Sequence, residues 1–123
     1  GLLRPSTLLL EDPLVAVLAE SGVVRRLLLY LLEAHRFRVL LARDVEGLLR
    51  LLKSRPKGVI LQGEKAVEAA RKVRATPEGR LASLYLVSET PPGLLLRPLR
   101  LLHLPKPLRS QEVLKALEPL RTR

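Results

Sequence analysis

Several residue types that support chemistry or membrane insertion are absent or scarce in this chain. Its 123 residues include no cysteine, no methionine, no tryptophan and only two histidines. The absence of cysteine excludes disulfides, thiolate catalysis and thiolate zinc sites, and two histidines leave little for another transition-metal site. No apolar run approaches the roughly 20 residues that span a bilayer, and the first residues lack the layout of a secretion signal. We therefore expect a cytoplasmic protein with no cofactor, no bound metal and no membrane contact.

Positive charge is what the chain has in excess. Its formal net charge is +10 and its sequence pI is near 11.1, which attracts nucleic acid, anionic membrane or an acidic partner. With two Tyr and one Phe, the chain has few of the stacking platforms that single-strand binders use. Abundant Arg, Leu and Pro without Cys or Met suggest a thermophilic source. One basic cluster could contact nucleic acid or another anion, or form a solvated face: Arg71, Lys72, Arg74 and Arg80.

The hydrophobic pattern alternates short apolar runs with helical stripes. The runs predict strands over 14–18, 37–41, 58–61, 84–87 and 101–104. Three residues are the expected N-caps of the intervening helices: Ser21, Asp44 and Ser110. The buried stripe expected for the first helix consists of Val24, Leu27, Leu28 and Leu31. Residues 76–79 are predicted to be a turn, and the third helix to begin at about Glu64.

Strands that alternate with helices predict a parallel sheet covered on both faces. We expect an α/β, flavodoxin-like three-layer sandwich with five parallel strands in the order 2-1-3-4-5. The fourth helix should be short or irregular, because Pro91, Pro92 and Pro98 interrupt the segment between strands four and five. Residues 1–13 are interpreted as an N-terminal arm or linker, within which 7–10 could form an extra edge strand, and residues 14–121 as the domain.

Gln62 occupies the most informative position in the chain. It closes the third predicted strand, and open α/β sheets bind ligands outside the carboxyl ends of their strands. A primary amide donates and accepts hydrogen bonds, but it is neither a nucleophile nor a charged metal ligand. This residue therefore argues against an enzyme.

Four features in sequence order resemble the receiver domain of bacterial two-component response regulators: Arg25-Arg26, the sequence FRVLLARD over 37–44, Pro56 and Lys106-Pro107. The resemblance covers roughly residues 14–120. It implies a phosphoryl acceptor at the end of strand three and an acidic Mg²⁺-binding pair after strand one. The acceptor position corresponds to Gln62 and the acidic pair to Ala19 and Glu20, so the family's chemistry should be absent. If strand one lay earlier, at 7–10, the acidic pair would instead be Glu11 and Asp12.

The resemblance also assigns the rest of a remnant pocket. Ser88 keeps the hydroxyl position, Lys106 keeps the ammonium position before a Pro107 that follows a cis peptide, and His103 takes the aromatic switch position. Several interpretations stay open. Gln62 could bond Lys106 and Ser88, or it could face solvent. Lys106 could bind an anion, or it could pair with Glu20. His103 could be a pH-sensitive switch, or it could simply be packed. A Ser88–His nucleophile lacks a carboxylate placed to orient the base.

The resulting hypothesis is a phosphorylation-independent pseudo-receiver that acts in signal transduction by binding a protein partner or an adjoining domain. The expected contact surface is rich in leucine: Leu94, Leu95, Leu96 and Leu99. A self-complementary homodimer through that face is the simplest oligomer. The alternative is a basic nucleic-acid-binding domain, whose affinity would fall steeply with salt.

Overall fold

A parallel sheet forms the centre of the protein. The computed structural model describes residues 12–122. The strands are β1 Leu14–Ala19, β2 Arg38–Leu41, β3 Gly58–Gln62, β4 Ser83–Ser88 and β5 Leu101–Pro105. The helices are α1 Gly22–Ala34, α2 Val45–Leu51, α3 Ala66–Arg74, α4 Pro77–Leu81 and α5 Ser110–Leu117, with 3-10 helices at Leu52–Ser54, Leu94–Leu99 and Glu118–Thr122. The extra strand expected at 7–10, and Glu11, lie outside the described residues.

The sheet order is β2-β1-β3-β4-β5 and every pairing is parallel. The predicted flavodoxin-like topology is therefore confirmed. Side chains of β1 and β3 are buried on both faces, as expected of central parallel strands with continuous apolar runs. In the β1–β3 register, Ala19 lies opposite Gln62, and β1 runs from Leu14 to Ala19.

Alternate residues of the strands supply two separate hydrophobic cores, one on each face of the sheet. Ala16 and Leu18 of β1 pack in the core beneath α2 and α3. Val15 and Val17, pointing the opposite way, pack in the core beneath α1 and α5. The strand ends are therefore fixed between two independently packed layers.

The structure corrects three local predictions. Leu27 is 39 % exposed and Leu32 takes its place in the buried face of α1. Residues 76–79 are not a simple turn, because the Thr76 hydroxyl accepts a hydrogen bond from Gly79 N at 2.9 Å and caps α4. Ser110 is the first residue of α5 rather than its cap, since the cap position is Arg109 and no side chain bonds there.

The predicted interruption between β4 and β5 is confirmed. That segment forms only the 3-10 helix Leu94–Leu99, with Pro98 inside it. Proline lacks a backbone donor and cannot continue a regular α-helix. No helix within residues 12–122 has the length and apolar character needed to cross a membrane.

Both ends of the described chain lie beside the turn that follows α1. At one end, the Asp12 carboxylate lies 3.6 Å from Arg36 Nε. At the other end, Arg121 donates to the carbonyl oxygen of His35 and stacks over the ring of Phe37, with its guanidinium carbon 4.2 Å from the ring centroid. These contacts place Asp12 and Arg121 at the edge of the sheet where the strands begin.

Candidate functional site

The amide of Gln62 links the end of β3 to the start of α1. Its Oε1 accepts a hydrogen bond from Ser21 N at 2.9 Å. Ser21 in turn caps α1, because its hydroxyl accepts from Val24 N at 3.2 Å. The carbonyl end of the amide thus satisfies a backbone donor at a helix terminus. Neither earlier interpretation of Gln62 holds, since it bonds Ser21 rather than Lys106 or Ser88 and is not simply solvated.

Glu20 stabilises the loop between β3 and α3. Its Oε2 accepts from Lys65 N at 3.0 Å. Its side chain also lies against Gly63, whose φ of 120° is in the region that favours glycine, and a Cβ at that residue would overlap the carboxylate. The interpretation that Lys106 pairs with Glu20 is wrong, because the Glu20 carboxylate accepts from the backbone amide of Lys65.

Ser88, His103 and Lys106 lie on the other side of Gln62. The Ser88 hydroxyl donates to Thr90 O at 2.6 Å, and His103 Nε2 donates to the backbone carbonyl of Ser88 at 2.9 Å. The histidine therefore contacts the Ser88 carbonyl rather than its hydroxyl, which is not the arrangement of a nucleophile and its base. Lys106 is exposed, and the predicted cis peptide before Pro107 is confirmed.

A cavity of about 310 Å³, the strand-end crevice, opens where the carboxyl ends of β1 and β3 meet the starts of α2 and α3. Apolar, polar and charged side chains line it, among them Leu18, Val45, Glu20, Gln62, Arg43 and Lys65. Open α/β sheets bind ligands at this kind of topological switch point. The sequence prediction missed Arg43 and Lys65, although both follow strands at the carboxyl edge.

Arg74, predicted to be a surface cation, is instead a structural residue. It donates to backbone carbonyl oxygens at 2.7–2.8 Å in three residues: Gly79, Ala82 and Leu99. Longer bonds of 3.3 Å reach the carbonyl oxygens of Arg80 and Arg100. Burial, and secondarily the positive charge of Arg100, lowers the pKa of the Arg74 guanidinium.

The other members of the basic cluster are at the surface. Lys72 pairs with Glu68 at 3.5 Å across one turn of α3, and Arg71 and Arg80 are exposed. Since Arg74 is engaged with the backbone and Lys72 is paired with Glu68, Arg71 and Arg80 are the two predicted cations that remain for an external anion.

The predicted leucine surface is smaller than its sequence suggested. Leu94 and Leu95 are 78 % and 90 % exposed. Leu96 is partly buried against the core, and Leu99 is 7 % exposed within it. The assignment of Leu99 to an exposed face is therefore wrong. Leu94 and Leu95 are hereafter called the leucine pair.

The five parallel strands in the order β2-β1-β3-β4-β5 match the CheY-like fold of response regulator receiver domains. The chemotaxis response regulator CheY4 of Vibrio cholerae is similar, with a TM-score of 0.78 and 17% identity over 89% of this chain and 98% of that one. A response regulator receiver protein from Pseudomonas putida has a TM-score of 0.73 and 22% identity, with 88% and 97% of the two chains covered. No protein-family model and no curated protein sequence matches the chain. The likeness therefore establishes the fold.

The residues at the strand ends do not fit the Mg²⁺ ion that the receiver resemblance implies. A hard divalent cation takes oxygen ligands, with carboxylates preferred. Of the three implied positions, Ala19 offers only its backbone carbonyl, which already accepts from Arg25 Nη1 at 2.9 Å. Gln62 and Glu20 are each bonded to a backbone amide. Within the described part of the chain, no group of three or more His, Cys, Asp or Glu is arranged to hold a metal.

Proposed function

We propose that this chain is a receiver-like regulatory module that acts in cytoplasmic signal transduction without being phosphorylated, and that it binds a protein partner or an adjoining domain. The observation that carries the proposal is the Gln62 amide, bonded to Ser21 N at the position where the resemblance implies an acceptor carboxylate. An amide is not a nucleophile towards phosphorus, and its carbonyl oxygen is already used as a hydrogen-bond acceptor.

The metal side of the site supports the same proposal. Phosphoryl transfer depends on an in-line oxygen nucleophile and on neutralisation of the phosphoryl charge. Ala19 cannot ligate through its side chain, and the Glu20 carboxylate holds Lys65 N at 3.0 Å. The resemblance assigns Lys106 and Ser88 to a remnant pocket, but neither side chain supplies the missing carboxylates.

The leucine pair is the proposed contact surface for the partner. Exposed apolar side chains that adjoin one another are typical of protein-binding surfaces. Leu102 on the neighbouring edge strand β5 is also 49 % exposed. A protein surface with a matching apolar patch is the kind of partner that these residues favour.

Incubation with acetyl phosphate and Mg²⁺, followed by intact-mass spectrometry, tests the central claim. The wild-type mass should not change. The matched variant A19D/Q62D, which keeps Glu20, Ser88 and Lys106, restores carboxylates at the two implied positions and should gain the mass of one phosphoryl group. Stable phosphorylation of the wild-type chain would refute the proposal.

The nucleic-acid alternative rests on the net charge of +10. It is weakened by the engagement of Arg74 with backbone carbonyls and by the pairing of Lys72 with Glu68. Fluorescence anisotropy with labelled duplex and single-stranded DNA at two salt concentrations distinguishes the two functions. Tight, salt-sensitive binding that is lost in R71E/R80E would favour the alternative, whereas no binding at low salt would exclude it.

A further inference from the structure

Helix α1 carries a second apolar stripe that faces away from the core. Val23 is 67 % exposed, Leu27 39 % and Tyr30 77 %, and Ala34 is also exposed. Their spacing is four, three and four residues, which places them on one side of the helix. These four residues are hereafter called the α1 seam.

The core does not require this stripe. The buried face of α1 is already formed by Val24, Leu28, Leu31 and Leu32. A surface helix with one such face normally presents polar residues elsewhere. Alternating steps of four and three residues are instead the pattern by which helices from two chains pack together. The α1 seam is thus suited to contact a second helix.

The charges beside the seam indicate which helix it fits. Arg26 and Glu33 are seven residues apart, so they flank the seam on the same side, and both are exposed. Among the described residues neither makes an ion pair. When two copies of one helix pack antiparallel, flanking residues of the same side face each other across the interface. Arg26 of each copy would then face Glu33 of the other, twice by symmetry.

We propose that the chain forms a two-fold symmetric homodimer in which the α1 seams of two copies pack antiparallel, with reciprocal Arg26–Glu33 pairs at their flanks. A helix of 13 residues is about 20 Å long and about 10 Å wide. Such a pair buries less than the about 1,200 Å² typical of a stable specific interface. The dimer is therefore weak and depends on protein concentration.

Sedimentation equilibrium of the full 123-residue chain tests the existence of the dimer. In about 0.15 M salt, the average mass should rise with concentration from 13.8 kDa towards twice that value. Y30E should remain at the monomer mass over the same range. L81E changes a leucine that is 82 % exposed outside the seam, and it should dimerise like the wild type. Circular dichroism verifies that each variant is folded.

A charge exchange tests the antiparallel arrangement. R26E places two glutamates opposite each other at both flanks and should weaken dimerisation about tenfold or more. E33R should weaken it similarly, whereas R26E/E33R should restore the wild-type dissociation constant to within about threefold. Residues seven apart do not contact each other within one helix, so such rescue has to arise between copies.

Three outcomes would overturn the proposal. The first is a wild-type chain that stays monomeric at every concentration. The second is a dimer that L95E disrupts and Y30E does not, which would place the interface at the leucine pair. The third is a double variant as weak as the single ones. None of these outcomes bears on phosphorylation, which the acetyl phosphate experiment measures separately.

Discussion

Replacement of Arg74 should destabilise the protein far more than replacement of any other surface arginine. Its guanidinium joins α3 to two other segments by donating at 2.7–2.8 Å to Gly79 and Ala82 at the end of α4 and to Leu99 of the 3-10 helix. Hydrogen bonds from a charged donor contribute about 1.5–3 kcal/mol each in buried settings. The three bonds are only partly buried, so water can partly replace them, and we assign about 1 kcal/mol to each bond. R74A should therefore lower the free energy of unfolding by about 3 kcal/mol.

R74K refines the same prediction. A lysine ammonium is a compact charge that cannot span three carbonyls as a planar guanidinium does. The lysine variant should recover only about 1 kcal/mol of the loss. The control is R71A, which removes the same charge from the same helix at an exposed position and should change stability by less than about 0.5 kcal/mol.

Urea denaturation followed by circular dichroism measures all three variants against the wild type. The slope of the unfolding free energy against urea should stay constant, because the surface exposed on unfolding is unchanged. If R74A and R71A were equally stable within about 0.5 kcal/mol, the structural role given to Arg74 would be wrong.

Two further substitutions test the site and its support. Q62A removes the acceptor for Ser21 N and should lower the unfolding free energy, measured by urea denaturation, by about 1 kcal/mol. The affinity for Mg²⁺, measured by calorimetry, should not fall. A large change in metal binding would contradict our description of the site. G79A would force a Cβ into the Val73 carbonyl oxygen and should cost more than about 2 kcal/mol, whereas G93A meets no atom within 4 Å and should be nearly neutral. Equal thermal midpoints for the two glycine variants would refute that difference.

Much of the fold could be predicted from the sequence because the burial of a strand is visible in the polarity of its consecutive residues. The runs at 14–18 and 58–61 are apolar on both faces, and only a central parallel strand requires that pattern. The absence of a regular helix between β4 and β5 could also be predicted from a single residue, because Pro98 cannot continue an α-helix.

Helix α4 was missed although its signal was present. Thr76 followed by Pro77 is a cap followed by a residue pre-organised for the first helical position. Pro77 and Gly79 are also typical turn residues, so the four-residue pattern alone fits both a turn and a capped helix. Leu27 was misplaced for a different reason, because two stripes of α1 lie side by side and helical periodicity does not tell which one faces the sheet.

Side-chain partners at the site were the least predictable feature. A pairing of Glu20 with Lys106 was one of the two interpretations of that lysine, but the Glu20 carboxylate satisfies Lys65 N instead. The choice depends on the path of the loop through Gly63, whose left-handed φ of 120° brings the amide of Lys65 within reach. Arg74 was predicted to be a surface cation because its partners lie in separate segments of the sequence. The backbone carbonyls that it bonds come close together only in the folded protein.

The contacts of Asp12 and Arg121 with the turn after α1 have a practical consequence. Both ends of the described chain leave from the edge where the strands begin, whereas the strand-end crevice opens at the opposite edge. A fluorophore or an affinity handle attached directly at Asp12 or at Thr122 is therefore anchored away from the crevice. Immobilised on a sensor surface through either of these two residues, the protein would present the crevice to solution, and both orientations should report the same ligand affinity.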